Sequence, residues 1–307
     1  MRFVVGRTSF ESESRAIQAG LSLTPGTTAR REAYAVVLSD YLIEAHPELL
    51  DMRPWHWRTP DGSYEVRKDG SRYCSTEFTF LLLARDLTIP ELALFAYEQC
   101  GTYAIDASNP KGFVTDCVQR TTKDRLCDFL EQCPGAPGSD KAHQALQWIA
   151  DRSASPMESC LTLLLCLPQR LGGFGLPLPE LNRKLSPSEL SSWPSLASSR
   201  SVKADLIWLD ALFALEYDSD LAHTGRDRIA RDSKRRVVFA AMRIQSISVT
   251  NEQITDTEEM MRVARLVAKA LGRRLNRCGK AFRAKHAILR KALLSFTVSG
   301  KDDGRPS

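Results

Sequence analysis

The chain has 307 residues, 43% hydrophobic and 26% charged, with a net charge of +5. That is the balance of an ordinary soluble globular protein of about two domains. No apolar run approaches the roughly 18 residues of a membrane span, and the stretch Leu161 to Leu167, broken only by Thr162, stops at Pro168.

In chain order, Arg30 to Ala45 reads as a helix, with Ala33, Val36, Val37, Tyr41 and Leu42 near one face. Met52 to Cys74 reads as loop and strand, with turn signals at Pro60-Asp-Gly62 and Lys68-Asp-Gly70. Ser75-Thr-Glu77 predicts a capped helix over 78–85. Ile89-Pro-Glu91 opens another that Gly101 ends. Thr121 to Leu130 and Lys141 to Ala150 are further helices, separated by the turn-rich Cys133 to Ser139. Trp55-His-Trp57 could stack bases, although packing on a neighbouring strand is the simpler reading.

A second region begins where Ser155 caps a helix with Pro156 at its first position, running to about Leu167. Leu178 to Leu185 is a strand, and Leu185 to Ser201 is a long Ser/Pro-rich loop. Val202 to Leu209 and Leu212 to Tyr217 are two more strands around a tight turn at Asp210-Ala211. Gly225 to Met242 is a helix rich in Arg, Ile244 to Thr250 a strand, and Thr257 to Leu275 a long amphipathic helix. The order α-β-β-β-α-β-α predicts an α/β fold around one mixed sheet, preceded by a mixed, mainly helical N-terminal domain. The expected division is 1–150, 151–295 with a basic C-terminal helix, and a disordered tail over 296–307. The N-terminus has no signal-peptide pattern, and the eight cysteines have no zinc spacing. Reduced thiols in a cytoplasmic protein are expected.

Three carboxylates lie near the inner ends of two of these strands. Asp205 and Glu216 are each five residues from the Asp210-Ala211 turn, so a hairpin there faces them across two strands. Two like charges so placed need a cation between them. Asp218, two residues past Glu216, points to the same face. Glu158 on the preceding helix is a fourth acid within reach of the sheet. A hard divalent cation such as Mg²⁺ (or Mn²⁺) fits this donor set. The alternative is that the acids are salt-bridged to Arg235, Arg236 or Lys203. His223 follows in a loop, and Thr250 and Gln253 are further candidates near the site. From Met261 to Lys291 there are many Arg and Lys and no Asp or Glu. Such an asymmetry points to an anionic partner, nucleic acid by default, or else to a solvated basic helix.

The ordered set Ser155-Pro-Met-Glu158, Asp205-Leu-Ile-Trp208, Leu215-Glu216-Tyr-Asp218, His223, Asp232 with Arg235 and Arg236, and Val249-Thr250 resembles the PD-(D/E)xK nuclease superfamily. It is most similar to the branch of very-short-patch-repair-like endonucleases, over about residues 153 to 275. The first part, through Ser75 to Ala84 and Glu98 to Tyr103, resembles abortive-infection antitoxins of the AbiEi type.

The resemblance implies a restriction-endonuclease-like core and a DNA endonuclease. Asp205, Glu216 and Asp218 would hold the metal, Glu158 would support it, and His223 would act as general base or orient the attacking water. Arg235 or Arg236 would neutralise phosphate, and Arg273, Arg274 and Arg277 in the basic stretch are expected to meet the nucleic acid as well. The superfamily lysine is replaced by Asp218, and the usual glycine by Ser219. The same fold therefore also fits an inactive DNA-binding regulator or antitoxin, with a toxin partner or as a homodimer.

Overall fold

The computed structural model of the chain describes residues 2–7, 33–38, 55–66, 72–106, 109–186, 201–218 and 235–298. Of these, 2–7, 33–38, 72 and 295–298 are described through their backbone. The chain is mixed α/β and divides into two compact units, Met1–Ile149 with Leu293–Ser307, and Ala150–Ala292.

In the first unit, β1 (Arg2–Arg7), β2 (Ala33–Leu38), β3 (Tyr64–Val66) and β4 (Arg72–Cys74) form one sheet in the order β1-β2-β4-β3. Residues 33–38 are thus strand where the sequence reads as helix. The run Ala-Tyr-Ala-Val-Val-Leu carries both periodicities, and parallel pairing with Phe3-Val4-Val5 of β1 decides between them. The predicted turn at Pro60 closes through Ser63 N–H to the Pro60 carbonyl, with Gly62 at φ +77°. The Lys68-Asp-Gly70 signal lies outside the described residues.

Helices α1 (Thr76–Leu83), α2 (Ile89–Gln99), α3 (Lys123–Glu131) and α4 (Ser139–Leu146) follow, with the small hairpin β5 (Tyr103–Ile105) and β6 (Phe113–Thr115). The Ser75 hydroxyl accepts from Phe78 N–H at 3.2 Å, which fixes the start of α1. Thr88 N–H donates to Glu91 at 2.9 Å and does the same for α2. Apart from its partnered acid Glu77, α1 buries an almost continuous apolar run, Phe78 to Ala84, and the Phe78 ring stands 6.2 Å from that of Phe129 in α3.

In the second unit, Ser155 caps α5 (Pro156–Cys166) as expected. Strands β7 (Glu180–Leu185), β8 (Val202–Trp208) and β9 (Phe213–Asp218) run antiparallel. The predicted two-residue turn between β8 and β9 is a single 3₁₀ turn, Leu209–Ala211, with Leu212 in the left-handed region. The helical residues 235–241 (α6) carry the chain over to β10 (Gln245–Thr250), which pairs parallel with β9. The sheet order is β10-β9-β8-β7. A parallel neighbour needs such a crossover, and a helix is its usual form. Ala204, Ile207, Ala214 and Leu185 pack with Phe239 of α6 and with Met242, just past its end, into one buried cluster.

Helices α7 (Asn251–Thr255), α8 (Thr257–Ala270) and α9 (Lys280–Val298) complete the described chain. The long helix expected to reach Leu275 ends at Ala270. Gly272, at φ +62°, lets Arg273 N–H return to the Ala268 carbonyl at 2.8 Å and Gly272 N–H to that of Lys269 at 3.1 Å. That pair of bonds satisfies the last carbonyls and turns the chain away. The basic stretch is therefore two helices joined by residues 271–279, not one basic helix. No helix among the described residues is long and apolar enough to cross a membrane.

Candidate functional site

The site is a polar row across the sheet of the second unit. The β8–β9 pairing runs Trp208↔Phe213, Ile207↔Ala214, Leu206↔Leu215. The next step in that register sets Asp205 opposite Glu216, as the turn count predicts. The ladder opens there, and the carboxylates take over from the backbone. Tyr217 N–H donates to Asp205 Oδ2 at 2.9 Å, and Asp205 N–H to Glu216 Oε1 at 3.4 Å. On the other side, Asn182 falls opposite Asp205, between the pairs Leu181↔Leu206 and Arg183↔Ala204. Ser248 of β10 is the register partner of Glu216. Four strands thus contribute Asn182, Asp205, Glu216 and Ser248 to one line.

Glu158 joins this row from the first turn of α5. It accepts from Ser155 Oγ and from Ala154 N–H, both at 2.9 Å, and from Asn182 Nδ2 at 2.5 Å. Those three donors favour the carboxylate. Burial and the charge of Asp205 oppose them and win, raising the group to about 7. Burial also pushes Asp205 up, against the lowering pull of Arg235, the Tyr217 N–H and Lys203.

Asn182 is the residue that sequence reasoning missed. It sits at φ +50° within β7 and is buried. Asparagine tolerates that left-handed geometry better than most residues. The local signal, a lone Asn in a strand that a three-strand register would bring opposite Asp205, can be read only once β7 is aligned.

Arg235, at the start of the described part of α6, supplies the cation. Its Nη2 makes an ion pair with Glu216 Oε2 and lies 3.5 Å from Asp205 Oδ1. Its guanidinium carbon stands 5.7 Å over the Phe239 ring, one helical turn on. Of the two readings of these acids, the salt bridge to Arg235 is thus present. Arg236 points outward and is exposed, as are Arg273, Arg274 and Arg277.

The remaining expected residues are placed differently. Asp218 closes β9, half-buried, in register with Thr250. Thr250 and Gln253 cap α7 reciprocally: Gln253 N–H donates to Thr250 Oγ1 at 3.4 Å, and Thr250 N–H to Gln253 Oε1 at 3.1 Å. Trp208 is core, its Nε1–H bonded to the Pro177 carbonyl at 2.8 Å. His223 and Asp232 lie outside the described residues. Among the described residues, no three of the His, Cys, Asp and Glu side chains gather closely enough to hold a metal ion together. The expected trio Asp205, Glu216 and Asp218 is therefore not brought together there: Asp218 stands two residues on along β9, opposite Thr250, while the carboxylates of Asp205 and Glu216 each accept from the other's strand.

Compared with protein-family models, curated proteins and solved structures, the chain has no match.

Proposed function

We propose that residues 153–275 form a restriction-endonuclease-like domain that hydrolyses DNA phosphodiester bonds with Mg²⁺ or Mn²⁺. The observation that carries this reading is the apposition of Asp205 and Glu216 at the opening of the β8–β9 ladder. It sits in a sheet of three antiparallel strands and a fourth, parallel one reached through a helix. The donor set fits a hard divalent cation: two carboxylates already converge on a positive group, and Glu158 adds negative field behind them.

Asp205 and Glu216 would hold the cation. When bound, it supplies Lewis-acid stabilisation of the phosphate and lowers the pKa of water. The chain's own groups do the rest. Tyr217 N–H fixes the Asp205 carboxylate, and Asn182 fixes Glu158. Glu158, raised to about 7 by burial and the charge of Asp205, can exchange a proton near neutrality. His223 is the candidate to act as general base or to orient the attacking water. Arg236, Arg273, Arg274 and Arg277, all exposed, are the groups free to meet phosphates.

A second reading is favoured by the Arg235 ion pair itself. It balances the acids without a metal, as an inactive DNA-binding regulator or antitoxin would need. Nicking of supercoiled plasmid with Mg²⁺, compared with an Asp205→Asn/Glu216→Gln variant, separates the two. Activity present and lost in the variant supports the nuclease, and DNA binding without cleavage supports the regulator.

A further inference from the structure

The role left open for Arg235 by its sequence position is phosphate binding, but its geometry points elsewhere. The side chain turns inward onto the two carboxylates, whereas its neighbour Arg236 faces solvent. Resting on the nuclease reading above, we propose that Arg235 is the chain's own counter-ion to the Asp205–Glu216 pair. It keeps the place of a divalent cation, which binds only by displacing it.

Three observations carry this. First, the same nitrogen, Nη2, addresses both Glu216 Oε2 and Asp205 Oδ1, so the guanidinium occupies the position where the two acids converge. A metal held by both would have to take that position. Second, the hold is by charge rather than by a full fork. Among the described residues, Arg235 Nε is buried with no acceptor, whereas a guanidinium locked in place uses its donors in bidentate pairs. Third, the side chain is a third exposed, and its guanidinium also lies over the Phe239 ring. A partly exposed side chain has a route toward solvent when a metal takes its place.

The consequence is a centre whose metal affinity is set by an internal competitor. Removing the competing charge strengthens binding, opposite to the loss expected if Arg235 were a support for the site.

The test is calorimetric titration of Mn²⁺ alone into the full chain, its Arg235→Gln and Arg235→Met variants, and Asp205→Asn/Glu216→Gln. The expected result is at least tenfold tighter Mn²⁺ binding in the Arg235 variants than in the wild type, and none in the double acid variant. Equal or weaker binding in a folded Arg235 variant, with measurable binding in the wild type, would overturn the proposal and leave the metal site standing. No binding to any folded form would overturn the metal reading itself, and the proposal with it. A wild-type measurement guards against variants that do not fold. Phenylglyoxal labelling of Arg235, read by peptide mass spectrometry, should rise several-fold on saturation with Mn²⁺. Labelling that Mn²⁺ leaves unchanged also contradicts displacement.

Discussion

Asp205 and Glu216 stand opposite each other where the β8–β9 ladder opens, and each carboxylate accepts a hydrogen bond from the other's strand. Asp205 Oδ2 takes the Tyr217 N–H at 2.9 Å, and Glu216 Oε1 the Asp205 N–H at 3.4 Å. The backbone donors that the open ladder would leave unpaired are thus used to aim two acids at one point. Charge at that point is what the rest of the site responds to.

Asn182 links that row to α5. Asn182→Ala removes a donor from buried Glu158 and forces a left-handed backbone on alanine. A lost bond of this kind costs about 1–3 kcal/mol, with about 1–2 kcal/mol more for the backbone. Asn182→Gly keeps the backbone conformation and loses only the bond. Urea unfolding should therefore place the glycine variant above the alanine variant in stability. The reverse order would remove the φ +50° conformation from the account.

Glu158 titrates at about 7 in the folded chain, against an ordinary value of 4.5. Between those two pH values the folded protein keeps a proton that the unfolded chain has released. Its contribution to stability is fully present below about pH 4.5 and is lost as pH rises through 7. The loss is a few kcal/mol at most, on the order of 1.4 kcal/mol for each tenfold difference in proton affinity between the folded and unfolded chain. Glu158→Gln does not titrate, so the stability of the variant relative to wild type should rise between pH 5 and pH 8. A difference constant with pH contradicts the raised value.

Two glycines in the second unit do different work. A Cβ at Gly173 would meet the Leu167 carbonyl oxygen at 2.1 Å, so the backbones touch there. Gly173→Ala should destabilise by about 3 kcal/mol or more, as a forced backbone shift in a buried turn does. A Cβ at Gly272 meets nothing within 4 Å, and only its φ of +62° resists a side chain. Gly272→Ala should cost about 1–2 kcal/mol. Thermal melts of the pair should show the first shift well above the second.

Much of this site was legible in the sequence, for particular reasons. The Asp205–Glu216 pairing follows from equal spacing about one turn, because strand register is local arithmetic. Ser155 and Pro156 mark the start of α5 because capping chemistry is local too. Other features depend on partners distant in the chain. Residues 33–38 become strand through β1, some 30 residues upstream, which local periodicity does not record. Asn182 matters through Glu158, 24 residues away. The overrun of α8 to Leu275 had a local signal in Gly272, which an uninterrupted amphipathic pattern outweighed. The inward turn of Arg235 and the outward turn of Arg236 cannot be told from two adjacent arginines.

Arg273, Arg274 and Arg277 project from the connection between α8 and α9 and are exposed. Replacing all three by Gln should weaken DNA binding and flatten its salt dependence. The slope of log K against log salt should fall by about 0.9 for each duplex phosphate that is no longer neutralised. A slope that does not change would take this connection out of the interface.

Nicking of supercoiled plasmid in Mg²⁺ decides whether the Asp205–Glu216 pair is, as proposed, the metal centre of a nuclease. The wild type is compared with Asp205→Ala and with Asp205→Ala/Glu216→Ala, and DNA affinity is measured on the same samples. The wild type should cleave, both variants should not, and DNA affinity should be equal or higher once a repelling carboxylate is gone. Cleavage undiminished in the variants, or absent from a folded wild type that binds DNA, would contradict the proposal.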